Sequence, residues 1–418
     1  MKKIIVRLYR DSLLRNSVYL MLTTGAMAVF GFFFWLICAR LFSPDEIGVA
    51  TSLISAMTLI ADISILGFDS TFVRLLPSAK NKNELINTGF AVAAITATTL
   101  SVGYIVALPY LTPLLDIVRR NFFYAAGFAA ITVITAANAL AGNVFIAFRN
   151  AKYNFINDGC VNGTVKVCLP FFVAGMGAYG IFAASGIAAF SAMAAGFAFL
   201  AVKFGYKPQL RIDTAVWRNV FRYSFSNYIA NIFIIAPALV MPLIVISQLG
   251  ASAAGYYYMS FMIANLLYAV SHSVSQSLFA EGSHDGSSLK KLLARAALIV
   301  GAITIPAGAA MAIAGPLILQ FFGKSYGIAG ASIIALLALA APAIGAAYLG
   351  ITALRIMKKT KMLVAASFVY FLAVSGSGII FAGRGLAWVA ASWIAGGLLS
   401  SLVSLSSIIF DRYRGAAK

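Results

Sequence analysis

The chain has 418 residues, of which 61% are hydrophobic and only 10% charged, whereas soluble domains carry about 25% charge. A mean hydropathy of +0.93 excludes a soluble globular core as the place for that apolar content, so the bilayer is the expected solvent. The formal net charge of +19 is dispersed over many short loops, which excludes the dense basic patch of a nucleic-acid-binding module.

A membrane-crossing helix needs about 20 apolar residues at about 1.5 Å each, so a charge-free interval much longer than about 30 must contain a turn. On that basis the first four spans fall at 16–39, 47–68, 88–111 and 122–148. Met1-Lys2-Lys3 ahead of an apolar run resembles a secretory signal, but the run is too long for one and is expected to remain as the first span. The fifth and sixth spans, 160–179 and 181–202, divide at Ala178-Tyr179-Gly180. The seventh and eighth, 225–248 and 254–278, divide at Leu249-Gly250-Ala251-Ser252, and 296–320, 329–352, 362–382 and 386–409 complete twelve.

With the N-terminus taken as cytoplasmic, only Arg40, Arg119, Arg120, Lys324 and Arg384 fall in loops on the opposite side, a roughly five-fold bias that favours both termini inside. Cys38, Cys160 and Cys168 have no zinc-type spacing and read as small apolar residues.

The longest connection, 203–224, lies mid-chain, and its Val216-Trp217-Arg218-Asn219-Val220-Phe221-Arg222 mixes aromatic and basic residues as an interfacial helix does. The segment from Ile4 to Leu14 has the same character. At an offset of 207, Arg15 meets Arg222, Ser17 meets Ser224, Leu36-Ile37 meets Leu243-Ile244 and Gly48 meets Gly255. A repeat is therefore expected: a six-helix lobe over 1–202, a cytoplasmic connector over 203–224 and a second six-helix lobe over 225–418.

Ionisable residues inside spans are costly and mark candidate sites. Asp62, Lys166 and His272 each lie a few residues from the cytoplasmic end of a span, roughly 10 Å below the inner interface. A shared depth points to one polar layer in a cavity, with Asp62 and Lys166 able to pair if both face it, while snorkelling of Lys166 and helix-packing bonds of His272 are the competing readings. Asp69 and Arg74, and Arg355, Lys358, Lys359 and Lys361, form a second tier explained equally by topology and anionic lipid. Pro170, Pro237, Pro242, Pro306 and Pro342 supply bends or static kinks. No nucleotide-cradling loop and no His-Glu-x-x-His motif is present, so neither enzyme chemistry nor a cofactor is expected.

Phe30-Gly-Phe-Phe-Phe-Trp35, Ala39-Arg40-Leu-Phe-Ser-Pro44, Ile47-Gly48-Val-Ala-Thr51, Leu66-Gly67-Phe-Asp-Ser-Thr71 with Arg74-Leu-Leu-Pro77, and Ser277-Leu-Phe-Ala-Glu-Gly-Ser283 resemble the oligosaccharide flippase family. These are the polysaccharide biosynthesis or Wzx-like proteins, in the superfamily that also holds multidrug exporters. The resemblance implies an all-α polytopic protein with two six-helix lobes around a central cavity, carrying a polyprenyl-diphosphate-linked oligosaccharide outward across a prokaryotic plasma membrane. It implies lipid partners, polysaccharide polymerase machinery and a monomer. Relatives that carry cell-wall precursor use several deep arginines, whereas here only Lys166 is a deep cation. Headgroup binding is accordingly expected near the inner face, at Arg15, Asn16, Arg74, Arg222 and Asn227 beside Asp62, Lys166 and His272. A cation-coupled multidrug or metabolite exporter on the same fold, and a non-transporting scaffold, are the alternatives.

Overall fold

Long apolar runs satisfy their backbone groups internally as helices, and the computed structural model of the chain shows helix throughout, with no strand among the described residues. It describes residues 12–209, 212–284 and 289–416, with 12–14, 214–224, 283–284 and 409–416 as backbone only. The segment from Ile4 to Leu14 lies outside what is described in full.

In chain order the helices are α1 (Ser12–Leu41), α2 (Pro44–Ser64), the short α3 (Phe68–Leu75), α4 (Lys82–Leu111), α5 (Phe122–Ala147), α6 (152–173) and α7 (Gly177–Phe204). Then follow α8 (Thr214–Leu249), α9 (Ala251–His284), α10 (Leu289–Gln320), α11 (Lys324–Ile356), α12 (360–381) and α13 (Leu386–Ala416). Among the described residues, ten helices are long and apolar enough to cross a membrane. One of the ten is the 53-residue run Lys152–Phe204. It turns at Ala174–Met176 and at Gly177, whose φ of 57° is open to glycine, after which α7 packs along α6. The tyrosine- and serine-rich α9 is not among the ten.

Several boundaries differ from the sequence expectation. The turn between α6 and α7 precedes Ala178 because Gly177 is the residue that takes positive φ. The second span stops at Ser64, four residues early, because Leu66 and Gly67 are both left-handed, with φ of 50° and 85°. The fifth helical run begins at Lys152 and so takes in Asp158, which the charge-free count had left in a loop. The central connector is shorter than expected too: α8 starts at Thr214 and runs unbroken to Leu249, so residues 216–222 continue into the following helix.

The chain divides into two compact units, Met1–Ser43 with Leu53–Tyr228, and Pro44–Ser52 with Ile229–Lys418. The first is packed at one end by an aromatic cluster in which Phe148 stacks on Phe204 at 4.8 Å, with Phe145, Tyr153 and Tyr206 around them. The connector is laced onto α4 there. Asn87, 4% exposed, accepts from the Tyr206 hydroxyl at 2.7 Å and the Gln209 N–H at 3.1 Å and donates to the Lys207 carbonyl at 3.1 Å. Burial pushes the Tyr206 phenol up to about 12, so it remains a donor. At the opposite end Tyr124 stacks on Tyr179 at 4.0 Å, while Tyr110, Phe122, Phe123, Phe171 and Phe172 stand exposed as an aromatic collar.

In the second unit α11 is the spine, lying against α9, α10 and α13. Small residues permit this: a Cβ on Gly308 would stand 2.9 Å from the Ala338 carbonyl oxygen, and one on Gly397 2.6 Å from the Ala343 carbonyl carbon. Trp393 donates to the Tyr257 hydroxyl at 2.9 Å, and Tyr268 to the Leu337 carbonyl at 2.7 Å, so the buried rings have partners for their polar atoms. The first nine residues of α2 belong to this unit, and Gly48 meets the start of α9 there. Gly255 lies against the Pro44 carbonyl, and Ser252 donates to Asp45 at 2.5 Å.

Both units close the helix before a bend in the same way. After α5, Phe148, Arg149 and Asn150 donate to Val144, Ile146 and Phe145; after α11, Met357, Lys358 and Lys359 donate to Ala353, Arg355 and Leu354. Arg149 and Lys358 are both left-handed, with φ of 55° and 56°. Each cap is followed by a helix containing a π-helical stretch, Phe155–Asn162 and Leu372–Gly376.

Candidate functional site

Asp62 sits half-buried in the penultimate residues of α2, just before the left-handed turn. Asp69, on the first turn of α3, and Tyr228 are its electrostatic neighbours, and Tyr228 donates to the Ile63 carbonyl at 2.5 Å. Lys166, half-buried on α6, does not pair with Asp62. Its Nζ stands 4.8 Å above the ring of the buried Phe34 on α1, near Cys38. The cation has therefore taken an aromatic face within its own unit in place of a carboxylate.

His272 belongs to the second unit, exposed on α9, 3.3 Å from Gln276 Nε2 and edge-on to Tyr348 at 6.0 Å. Arg355 is a neighbour there, with its guanidinium 5.8 Å over Phe279 and its Nε buried without a hydrogen-bond partner. Arg74 and Asn227 are exposed on α3 and α8, and the Arg222 side chain lies outside the described residues.

Arg15 and Asn16 are joined by residues that the sequence reading passed over. A cavity of about 340 Å³ in the first unit is lined by Arg15, Asn16, Tyr19, Arg149, Asn150 and Lys152. Three cations, two amides and a phenol converge, with no carboxylate among the described residues of the lining, a donor set suited to the oxygens of a phosphate group. Asn16 accepts from the Ala151 N–H at 2.9 Å and so ties α1 to the α5–α6 turn. That turn carries Arg149 in its left-handed conformation, a strained placement for a long side chain.

A second polar group lies inside the same unit. Asp158, half-buried on the π-helical stretch of α6, accepts from Asn138 of α5 at 2.8 Å, and Asn154 donates to the Gly142 carbonyl at 3.2 Å. The Asn154 Oδ1 and Asn157 Oδ1 atoms are buried with no hydrogen-bond partner. The run Asn154, Asn157, Asp158, Asn162 was the available signal in the sequence, but the charge count left its first three members in a loop and gave them no weight.

Polar clusters carried on long apolar helices are the arrangement of a multi-pass membrane protein. Residues 37–329 match the family described as polysaccharide biosynthesis protein, and the chain belongs to that family. No curated protein matches the sequence. Among solved structures, the lipid II flippase MurJ in an inward closed conformation is similar with a TM-score of 0.75 at 15% identity, over 94% of this chain and 87% of that one. An outward-facing multidrug resistance MATE transporter of the MOP superfamily is similar at 0.67 and 12% identity, over 97% and 96%. A MOP superfamily transporter from Pyrococcus furiosus is similar at 0.63 and 13%, over 97% and 96%.

Proposed function

We propose that the protein is a flippase that moves a polyprenyl-diphosphate-linked oligosaccharide from the cytoplasmic to the outer leaflet by alternating access, in cell-surface polysaccharide biosynthesis. Twelve spans in two lobes of six, with both termini cytoplasmic, fit this reading: the ten apolar helices, α9 added, and Lys152–Phe204 counted as two. The observation that carries it is the basic cavity of Arg15, Arg149 and Lys152, in a chain whose family is polysaccharide biosynthesis. On the expected topology that cavity opens at the cytoplasmic face, where a diphosphate headgroup would be met. Lys166 and His272 would then contact the cargo further in.

Deleting the gene should cause the lipid-linked oligosaccharide to accumulate on the inner leaflet, measured by leaflet-selective labelling. Absence of accumulation together with altered drug susceptibility would favour the exporter reading, which the MATE likeness supports.

Two substitutions separate function from stability. Arg149→Gly removes a cavity cation but relieves a left-handed side chain, so transport should fall while the unfolding midpoint holds or rises, by up to about 1 kcal/mol. Lys358→Gly should relieve the same strain in the second unit and leave transport intact. Lys166→Met should abolish flipping yet cost only about 0.5–2 kcal/mol through loss of the ammonium over Phe34, read as full membrane insertion without turnover.

A further inference from the structure

We propose that the first unit carries a site for one anionic glycerophospholipid of the surrounding bilayer, formed by two joined cavities where the connector is laced onto α4. The headgroup lies against Lys80, Lys82 and Asn83, and one acyl chain lies between Phe90 and Phe197.

The polar half is a cavity of about 520 Å³ lined by Lys80, Asn81, Lys82 and Asn83, with Phe148 and Phe204 among its walls. Asn81 caps α4: its Oδ1 accepts from the Glu84 N–H at 3.2 Å, and its Nδ2 donates to the Glu84 carboxylate at 2.9 Å. The acid nearest in sequence is thus already engaged. Asn83 Oδ1 accepts from the Lys207 N–H at 3.4 Å, which leaves its Nδ2 to donate elsewhere. Lys80 is exposed and makes no ion pair among the described residues, and the Lys82 Nζ stands 5.4 Å over the Phe148 ring. Two cations and an amide donor, with no carboxylate among the described residues of the lining, call for an anion.

The apolar half is a cavity of about 280 Å³ between α4, α5 and α7, lined by Phe90, Ala91, Ala94, Ala137 and Phe197. Asn87 also borders it, but its amide is spent on residues 206–209. Tyr206 lines both cavities, its ring 6.1 Å from Phe90 and 6.0 Å from Phe197. A molecule that fills both must be anionic at one end and apolar at the other.

Length selects among such amphiphiles. Ala94 lies about 18 Å along α4 from Lys82, and one leaflet of hydrocarbon is about 15 Å deep. The groove therefore has the reach of one acyl chain, and a polyprenyl chain would overrun it. The site is also distinct from the basic cavity assigned to the cargo headgroup: Phe148 lines the one and Arg149 the other. Pro208 and Gln209 border the apolar half, so a bound lipid braces the connector as well.

The test is a titration of the delipidated full chain in dodecyl maltoside with phosphatidylglycerol, the adducts being counted by native mass spectrometry. Phosphatidylcholine and undecaprenyl phosphate are run in parallel, with inorganic phosphate as competitor. One phosphatidylglycerol should bind ahead of the rest, about tenfold tighter than phosphatidylcholine and undisturbed by inorganic phosphate. Lys80→Gln with Lys82→Gln should weaken this first adduct by about tenfold or more. Ala94→Phe fills the groove without changing charge and should do the same; if that variant fails to fold, the lysine pair decides. Lys290→Gln with Lys291→Gln removes equal charge from exposed positions on α10 and should leave the first adduct as it is. In the wild type the lipid should slow proteolysis between Gly205 and Asp213.

Equal losses from the two lysine pairs would reduce the site to general surface attraction and overturn the proposal. So would tighter binding of undecaprenyl phosphate, displacement by inorganic phosphate, or a folded Ala94→Phe chain that binds as the wild type does. The adduct is read without transport, so none of these results bears on whether the protein flips a lipid-linked oligosaccharide.

Discussion

Gly48→Ala is expected to be the most damaging single-methyl change in the chain. A Cβ at this position overlaps the carbonyl oxygen of Ala251 and stands 3.0 Å from the Gly255 backbone nitrogen. The obstacle is backbone on both sides, so no side chain can rotate away, and α2 and α9 must separate. Overpacking of well-packed interiors costs about 1–3 kcal/mol, and a clash with backbone belongs at or above the top of that range. Gly255→Ala should behave likewise, because its Cβ would stand 2.5 Å from the Pro44 carbonyl oxygen. Gly25→Ala and Gly31→Ala, where nothing lies within 4 Å, are the controls and should stay within about 1 kcal/mol of wild type. Thermal unfolding in nanodiscs measures all four. Equal midpoints for Gly48→Ala and Gly25→Ala would show that the helices do not cross there.

Asn87→Leu should free the connector. The amide makes three hydrogen bonds to residues 206–209 from a position 4% exposed, and leucine leaves the Tyr206 hydroxyl and the Gln209 N–H without their acceptor. The buried Tyr206 hydroxyl stranded in this way costs about 1–3 kcal/mol and the part-buried Gln209 N–H less, so a loss of about 1–3 kcal/mol is expected. It should be local. Limited proteolysis between Gly205 and Asp213 should accelerate by more than tenfold before the global midpoint moves far. The neighbouring bond from the Lys207 N–H to Asn83 is exposed, and its loss should do less.

The spans were legible because apolarity over a helical length is a one-dimensional property. The bends at Gly250 and before α7 were close to expectation, and Gly48 had been paired with Gly255 at an offset of 207, the two positions that lie against each other where α2 meets α9. The polar sites were less legible. Depth below the interface can be counted along a helix, but the direction of a side chain depends on rotation about the helix axis, and charge counting ignores rotation. Lys166 therefore looked like a partner for Asp62 when its neighbour was Phe34. Asp158 was hidden by a boundary: with the helix started a few residues late, its amide neighbours Asn154 and Asn157 appeared to be loop residues. Arg149 could not be singled out either, since its left-handed backbone is set by the cap that closes α5.

The aromatic collar of the first unit has a mechanical consequence. Tyr110, Phe122, Phe123, Phe171 and Phe172 project from one end of three neighbouring helices, each more than half exposed. Rings of this kind settle at the depth where water gives way to hydrocarbon. A unit held there resists being raised or lowered, since either movement would drag five rings out of their preferred layer. Swinging about the collar leaves them where they are. The lipid boundary thus acts as a bearing, and the thickness of the host membrane becomes part of the machine's calibration.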